Sequence, residues 1–379
     1  MSPYRIPFNK PSFAGNEIRY IAEAIELGHI SGDGHFTKLC HELLEQTLGV
    51  QKVLLTTNCT HALEMSAFLL DLEPGDEVIV PSFAYVTTAN AYAVRGAQPV
   101  FVDVRPDTLN LDERRVERAI TPRTKAIVAL HYAGIACEMD TLLALAKRRG
   151  LEVVEDNAHG LYGKYKDRWL GTLGGLATQS FHETKNFTCG EGGALLVNDP
   201  RYAERAEIVR EKGTNRSRFL RGEVHKYTWV DLGSSYLPSD ILAGFLYAQL
   251  EARESIQQRR REIWQRYASE LASWARGFGA TLPTVPAGCE PSWHLFYMLL
   301  PQSSMRERFL DHLAQRGILS VFHYQPLHIS EMGRRFGGKE GDCPVAEDIT
   351  GRLVRLPFFN SLTQSEQGEV IEAVASFRG

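Results

Sequence analysis

A mostly parallel α/β sheet with a smaller α+β domain behind it is the architecture predicted for this chain of 379 residues. Three observations predict it. Short apolar segments recur between about residues 50 and 200 without clean in/out alternation, as in strands buried on both faces. Amphipathic helical patterns separate several of them, supplying the crossovers that parallel neighbours require. The composition, 44% hydrophobic and 23% charged, fills a sizeable core and excludes wholesale disorder.

In chain order, the strand-like segments are KVLLT (52–56), EVIVP (77–81), PVFVDV (99–104), KAIVALHY (125–132), LEVVED (151–156), TQSFH (178–182) and GALLVN (193–198). Helical periodicity lies between them in ALEMSAFLLDL (62–72), TTANAYAVRG (87–96), ERRVERAI (113–120) and MDTLLALAKRRG (139–150). Ser239-Asp240 opens a proline-free helical run to Ala275, read either as one long helix or as two broken near Glu254–Ile256. A Gly/Pro-rich stretch follows (277–291), then the short elements WHLFYMLL, MRERFLDHLAQRG and ILSVFHY. The expected division is a large α/β domain over 1–250, including the N-terminal segment, and a small domain over 251–379.

The charge balance, 42 basic against 46 acidic residues, gives −4 and argues against a protein that coats nucleic acid. No apolar run approaches the roughly 18–20 residues of a membrane span, and the N-terminus lacks the apolar core of a secretory signal. The six cysteines, at 40, 59, 137, 189, 289 and 343, include no CxxC pair. A reduced cytoplasmic protein without a metal site is the expectation.

Three segments carry candidate chemistry. In the first, Ser180 to Gly193 (SFHETKNFTCGEGG), Lys185 follows a buried strand and faces a glycine-rich turn. Burial lowers a lysine pKa and frees its amine as a nucleophile. His182-Glu183 does not open a zinc-protease helix, because Asn186 stands where the second histidine is needed. In the second, VVEDNAHG, Asp156 ends a presumed central strand, at the crevice where parallel sheets bind ligands. In the third, TTNCTHA, Thr60 sits at a strand-to-helix junction whose N–H groups suit an anion. A lysine, a buried carboxylate and a phosphate seat are what pyridoxal 5′-phosphate requires, with an aromatic from PSFAY to stack on its ring. A Rossmann oxidoreductase would carry GxGxxG where this chain has NCTHAL.

The motifs NCTHALEM, PSFAYVTTANA, VFVDVRPDTLNLD, VEDNAHG, SFHETKN…GEGGALL and HYQPLH together resemble the DegT/DnrJ/EryC1/StrS family of nucleotide-sugar aminotransferases, over essentially the whole chain. The resemblance implies the fold type I architecture of pyridoxal-phosphate aminotransferases and a homodimer. It implies Lys185 as the lysine that links to the cofactor and shuttles the proton, and Asp156 as the partner of the ring nitrogen. His159 would contact the phenolic oxygen, Thr60, His61 (through its backbone) and Ser180 the phosphate, and Tyr85 the ring face. Ser235, in LGSSY, would reach the partner subunit's phosphate site. Sugar dehydratases of this fold carry histidine at the lysine position, which Lys185 speaks against. Three positions depart from the family's pattern: Ser235 where Asn is frequent, Asn157 where Ala is usual, and a turn after Thr188 shorter by one residue than in a close enterobacterial relative.

The substrates implied are L-glutamate and a dTDP-linked keto sugar; amination at C4 to a galacto product is favoured, with a C3 or gluco product as the alternative. A sugar nucleotide carries a diphosphate, and residues 209–226 hold six basic residues against Glu211 and Glu223, a local charge of 6 − 2 = +4. Arg216 and Arg218 from that loop, with His323 and Tyr324 of HYQPLH, are the expected substrate contacts, while His328 is equally read as structural.

Overall fold

A computed structural model describes residues 4–379. Two helices, α1 (Glu17–Glu26) and α2 (His35–Leu48), precede the central sheet. Its strands are β1 (Lys52–Thr56), β2 (Glu77–Pro81), β3 (Gln98–Val102), β4 (Thr124–Leu130), β5 (Glu152–Asp156), β8 (Leu176–Ser180) and β9 (Gly193–Val197). A short hairpin, β6 (Lys164–Tyr165) and β7 (Arg168–Trp169), interrupts the run. Strand order is β1-β9-β8-β5-β4-β2-β3. The pairs from β8 through β3 are parallel, and their crossovers include α4 (Thr87–Ala93), α5 (Glu113–Ala119) and α6 (Met139–Arg149).

Only β9 is reversed, antiparallel to both β1 and β8. The connection 181–192 contains no helix, so the chain returns as a hairpin rather than crossing over. That hairpin carries Lys185. All of β2 and β9, and all of β4 but Lys125, is buried, as expected of strands covered on both faces. Each fully buried Val, Ile or Leu there contributes roughly 1.5–3 kcal/mol.

The predicted long helix is two, α9 (Asp240–Glu251) and α10 (Arg253–Phe278), joined at Ala252. Ser239 caps the first as expected, its hydroxyl accepting from the Leu242 N–H at 3.4 Å. The break precedes the expected place because the two halves serve different cores. Leu246 and Leu250 of α9 pack with α2, whereas Ile263, Tyr267 and Leu271 of α10 pack with β11 (Tyr297–Leu299), β12 (Leu353–Arg355), α11 (Arg306–Ala314) and α14 (Gln364–Ser376).

Ile6 is fully buried in that second cluster and bridges to Ile318. The N-terminal segment around Ile6 therefore packs with the C-terminal body, not with the large sheet as expected, because Tyr267, Phe296 and Phe309 offer it an apolar seat. The two bodies are fastened at several points. Asp103 accepts from the Val345 and Ala346 N–H groups at the start of α13 (Pro344–Arg352), at 3.0 and 2.9 Å. His328 is buried between Ser82 (2.6 Å) and Glu347 (2.9 Å), so both its nitrogens are committed and its role is structural.

Behind the end of β5, Glu155 is fully buried and holds the segment 171–174. Its carboxylate meets His131 Nε2 at 2.9 Å and accepts from the N–H groups of Gly171, Leu173 and Gly174 at 2.8, 2.6 and 2.7 Å. Burial alone would raise this carboxyl, but the His131 bond and charge and the backbone donors hold it below its ordinary value. The stability it contributes is present above the ordinary carboxylate pKa and lost as pH falls through the depressed one. Glu155→Leu strands at least three N–H donors and is expected to cost about 3 kcal/mol, read as a lower urea midpoint with unchanged slope.

Candidate active site

One cavity of about 670 Å³ opens at the carboxyl ends of the parallel strands, between the sheet and the second body. Of the residues singled out from the sequence, Thr60, Tyr85, Asp156, His159, Ser180, Lys185, His323 and Tyr324 line it. Lys185 stands in the 181–192 turn, half-buried, and its Nζ makes no hydrogen bond or ion pair among the described residues. Its pKa is lowered to about 8, chiefly by enclosure within the cavity walls and in lesser part by Arg355, against the opposing pull of Cys59 and Asp156.

Asp156 is 3% exposed at the end of β5. Its Oδ2 accepts from the Thr88 hydroxyl at 2.7 Å and its Oδ1 from the Ala158 N–H at 3.3 Å. Burial raises its carboxyl above the ordinary value despite those bonds and the nearby Lys185. A carboxylate so placed suits a cationic partner in the cavity.

Helix α3 (Cys59–Leu69) points its first turn at the same space, and residues 59 and 60 line it. Its cap is Asn58, whose Oδ1 accepts from the His61 N–H at 2.9 Å. The N–H groups of Cys59 and Thr60 find no acceptor among the described residues, leaving them for an anion. Gly193 makes this junction possible, since a Cβ there would lie 2.3 Å from the Asn58 carbonyl carbon and 2.5 Å from the Cys59 nitrogen. Ser180 adds a hydroxyl from the end of β8.

His159 is the middle ring of a stack. Its centroid lies 4.2 Å from His294 and 6.3 Å from His323, which stacks on Tyr324 at 3.7 Å. The Ala133 N–H donates to His159 Nδ1 at 3.3 Å, which puts the ring proton on Nε2. Ala133 adopts a left-handed conformation (φ 58°) to do so. Burial first, then the Lys185 and Arg355 charges, holds His159 well below the usual histidine range, so it is neutral. His294 donates from Nδ1 to Asn186 at 2.9 Å, and Arg260 fixes its segment by donating to the carbonyls of Trp293 (3.0 Å) and His294 (2.5 Å).

Four expected contacts do not line this cavity. The His61 N–H is taken by Asn58, and its ring bonds Thr57 Oγ1 and lies edge-on to Tyr236. Ser235 is exposed on the segment after α8 (Arg216–Leu220). Arg216 pairs with Glu211 at 3.0 Å and Arg218 with Glu204 at 3.0 Å and Glu223 at 3.3 Å. The loop is less basic than its own residues suggest, because Glu204 and Glu207 of α7 (Ala203–Arg210) face it and Arg210 turns inward to Asp33.

Asn58, Thr88, His294 and Arg355 were not singled out from the sequence, yet each lines the cavity. The signals were present but weak: a capping residue before NCTHAL, a hydroxyl in TTANA, and single polar residues inside the apolar runs SWHLFYMLL and LVRLPFF. Asn157 is fully buried and ties the Leu170 carbonyl at 2.9 Å, a structural duty.

The lowered lysine makes a prediction. Covalent capture of a carbonyl by Lys185 in the cofactor-free protein is expected to speed up through about pH 8 and level off above it, since the neutral amine attacks. Stopped-flow reconstitution across pH checks this; a rate still climbing tenfold per unit above pH 9 contradicts it.

The description of the DegT/DnrJ/EryC1/StrS aminotransferase family matches residues 11–375. An uncharacterised protein of Methanocaldococcus jannaschii is 33% identical over 97% of this chain and 96% of its own length. The spore coat polysaccharide biosynthesis protein SpsC of Bacillus subtilis is 31% identical over the same shares. Among solved structures, the pyridoxal-phosphate form of a putative sugar aminotransferase from Streptococcus pneumoniae superposes with a TM-score of 0.91 at 28% identity, covering 98% of both chains.

Proposed function

The chain belongs to the DegT/DnrJ/EryC1/StrS aminotransferase family, with pyridoxal 5′-phosphate as cofactor, and on that premise we propose that it moves an amino group from L-glutamate to C4 of dTDP-4-dehydro-6-deoxy-D-glucose. The products are dTDP-4-amino-4,6-dideoxy-D-galactose and 2-oxoglutarate. The carrying observation is that Lys185, Asp156 and the start of α3 border one cavity. The choice of sugar rests on the sequence of the 210–240 segment and its resemblance to enzymes of that specificity.

The residues fit the cofactor. The free N–H groups of Cys59 and Thr60, with the Ser180 hydroxyl, are the donors for its phosphate, and Asp156 is the charge for its ring nitrogen. Bound there, the cofactor supplies an aldehyde that condenses with amines and a ring that draws electrons from the reacting carbon. Lys185 Nζ removes the proton from the donor's α-carbon and, in the second half-reaction, delivers one to C4 of the sugar. His159, with its Nε2–H free, would be the residue to hold the cofactor's phenolic oxygen, and Tyr85 would cover its ring. His323 and Tyr324 meet the sugar from the opposite wall.

The proposal includes a homodimer. Leu220, Trp229 and Leu232 expose 65, 73 and 53% of their surface in one segment, more apolar area than a solvated loop needs. In the dimer this segment brings Ser235, Arg216 and Arg218 to the second copy's cavity and its bound diphosphate. Charge reversal at Arg218 that leaves the sugar-nucleotide KM unchanged removes that residue from the proposal.

The experiment supplies dTDP-4-dehydro-6-deoxy-D-glucose and L-glutamate and identifies the product by NMR. The galacto 4-amino sugar is expected. A product aminated at C3, a gluco configuration at C4, or no product overturns the assignment.

A further inference from the structure

Trp293 is held in the left-handed region, with φ 57°, a conformation costly for so bulky a residue. Its neighbours hold it there. The Ser292 N–H donates to the Gly134 carbonyl at 3.0 Å, and the Ser292 hydroxyl donates to the His159 carbonyl. Arg260, which has no carboxylate partner among the described residues, spends its donors on the carbonyls of Trp293 and His294 and on Asn360. The outcome places the Trp293 ring against Trp264, 5.2 Å between centroids, and the His294 ring on the cavity wall.

What the His294 ring offers differs from its neighbours. Asn186 commits its amide nitrogen to the Ser292 carbonyl at 2.7 Å, so its oxygen faces His294 Nδ1 at 2.9 Å and accepts. The ring proton is therefore on Nδ1, and Nε2 is a bare lone pair with no partner among the described residues. His159 is the reverse, with its proton on Nε2. His323 matches His159: the Tyr132 hydroxyl has no other acceptor among the described residues, and so donates to its Nδ1 at 3.1 Å. Burial first, then His159 and the Lys185, Arg260 and Arg355 charges, keeps His294 well below the usual histidine range. No proton occupies the lone pair.

We propose that His294 Nε2 accepts a hydrogen bond from the C3 hydroxyl of the keto sugar and so selects a 3-hydroxy substrate; the proposal rests on the 4-amination reading above. Both substrates enter this cavity, because Lys185 serves both, and their chemistry separates them. L-glutamate brings two carboxylates, which only accept, and one amino group, which is itself consumed. A bare nitrogen repels the first and has no lasting use for the second. The hexose brings hydroxyls, each of which needs an acceptor once water is excluded. His294 is tied to Asn186, the residue after Lys185, and stacks on His159 at 4.2 Å, so it stands near the carbon that Lys185 serves. The neighbours of C4 are C3 and C5, and in a 6-deoxy sugar C5 carries only the ring oxygen and a methyl group. The C3 hydroxyl is the donor in reach.

The test compares dTDP-4-dehydro-6-deoxy-D-glucose with its 3-deoxy analogue on the holoenzyme, with L-glutamate as donor. Wild type is expected to favour the 3-hydroxy sugar about 30-fold in kcat/KM, because the analogue leaves a buried acceptor without a partner. In His294→Asn, whose amide keeps the donor to Asn186 but ends short of Nε2, the preference should fall below about threefold. His294→Gln places a carbonyl oxygen near the Nε2 position and should recover part of it. The donor half-reaction, followed as 2-oxoglutarate released in a single turnover, should slow less than about threefold in either variant. His294→Phe, which keeps a ring on His159, replaces the Asn variant if that one fails to fold by thermal melting. A wild type indifferent to the C3 hydroxyl overturns the proposal, as does a preference that survives the loss of Nε2. So does an equal slowing of the donor half-reaction, the mark of a packing role alone. dTDP-6-deoxy-D-glucose and its 3-deoxy analogue, which have no keto group, are compared by calorimetry in the same proteins. If wild type aminated neither keto sugar, the functional reading would fail. Binding about tenfold weaker without the C3 hydroxyl, in wild type but not in the variant, would still support the hydroxyl seat, and equal binding would overturn it.

Discussion

Lys185→Ala is expected to lower amino transfer at least about 10⁴-fold and to abolish the visible absorbance of a lysine-linked cofactor. Among the described residues Lys185 is the one lysine lining the cavity, so no neighbour substitutes for it. Its turn is held independently of Nζ: the Lys185 N–H donates to the His182 carbonyl at 2.9 Å, and the Glu183 N–H to the Gly190 carbonyl at 2.9 Å. The variant should therefore keep its fold and its affinity for the cofactor's phosphate. Full activity in Lys185→Ala, measured by product formation, would refute the assignment. Partial rescue by added primary amines would be consistent with loss of the amine alone.

Asp156→Ala carries the second large effect, a loss of about 10³-fold in kcat/KM, because a buried charge aimed at a ring nitrogen acts in a site of low dielectric. Its pH signature separates it from a packing defect. Burial raises the Asp156 carboxyl in the cofactor-free protein, so the folded state holds that proton more tightly than the unfolded chain. The contribution to stability then falls as pH rises from the ordinary carboxylate value through the raised one. A cationic ring nitrogen in the cavity reverses the sign by favouring the ionised form. Melting of the wild type and of Asp156→Asn, with and without cofactor, between pH 4 and pH 7 should show the wild type gaining more from cofactor at the higher pH. A parallel gain in both proteins would argue against the pairing.

Asp156 and Lys185 were legible in the sequence because the first ends a strand that reads clearly and the second lies in the turn that follows another, and chain order on an α/β sheet puts such ends on one rim. Arg355 was not, because LVRLPFF reads as a core strand and only the packed structure reveals which way one polar residue faces. His294 was hidden in the same manner inside SWHLFYMLL. His61 was misjudged because Asn58, three residues earlier, competes for its N–H. The charge of the 209–226 loop was overestimated because a local count omits Glu204 and Glu207, which reach it from the preceding helix. The helix break at Ala252 follows from two cores that no local pattern separates.

The reversed strand β9 has a consequence for how the protein comes to be loaded. Its register joins Lys52 to Val197 and Thr56 to Gly193, so the seat at the start of α3 closes only when residues far apart in the chain have met. Closing a loop of that length costs chain entropy, which the pairing of β1 with β9 has to offset. A ligand held there binds the completed sheet and nothing earlier. Occupancy of the seat therefore adds to the stability of the whole sheet, so a bound cofactor is expected to raise the midpoint of global unfolding by an amount that grows with the logarithm of its concentration over its Kd.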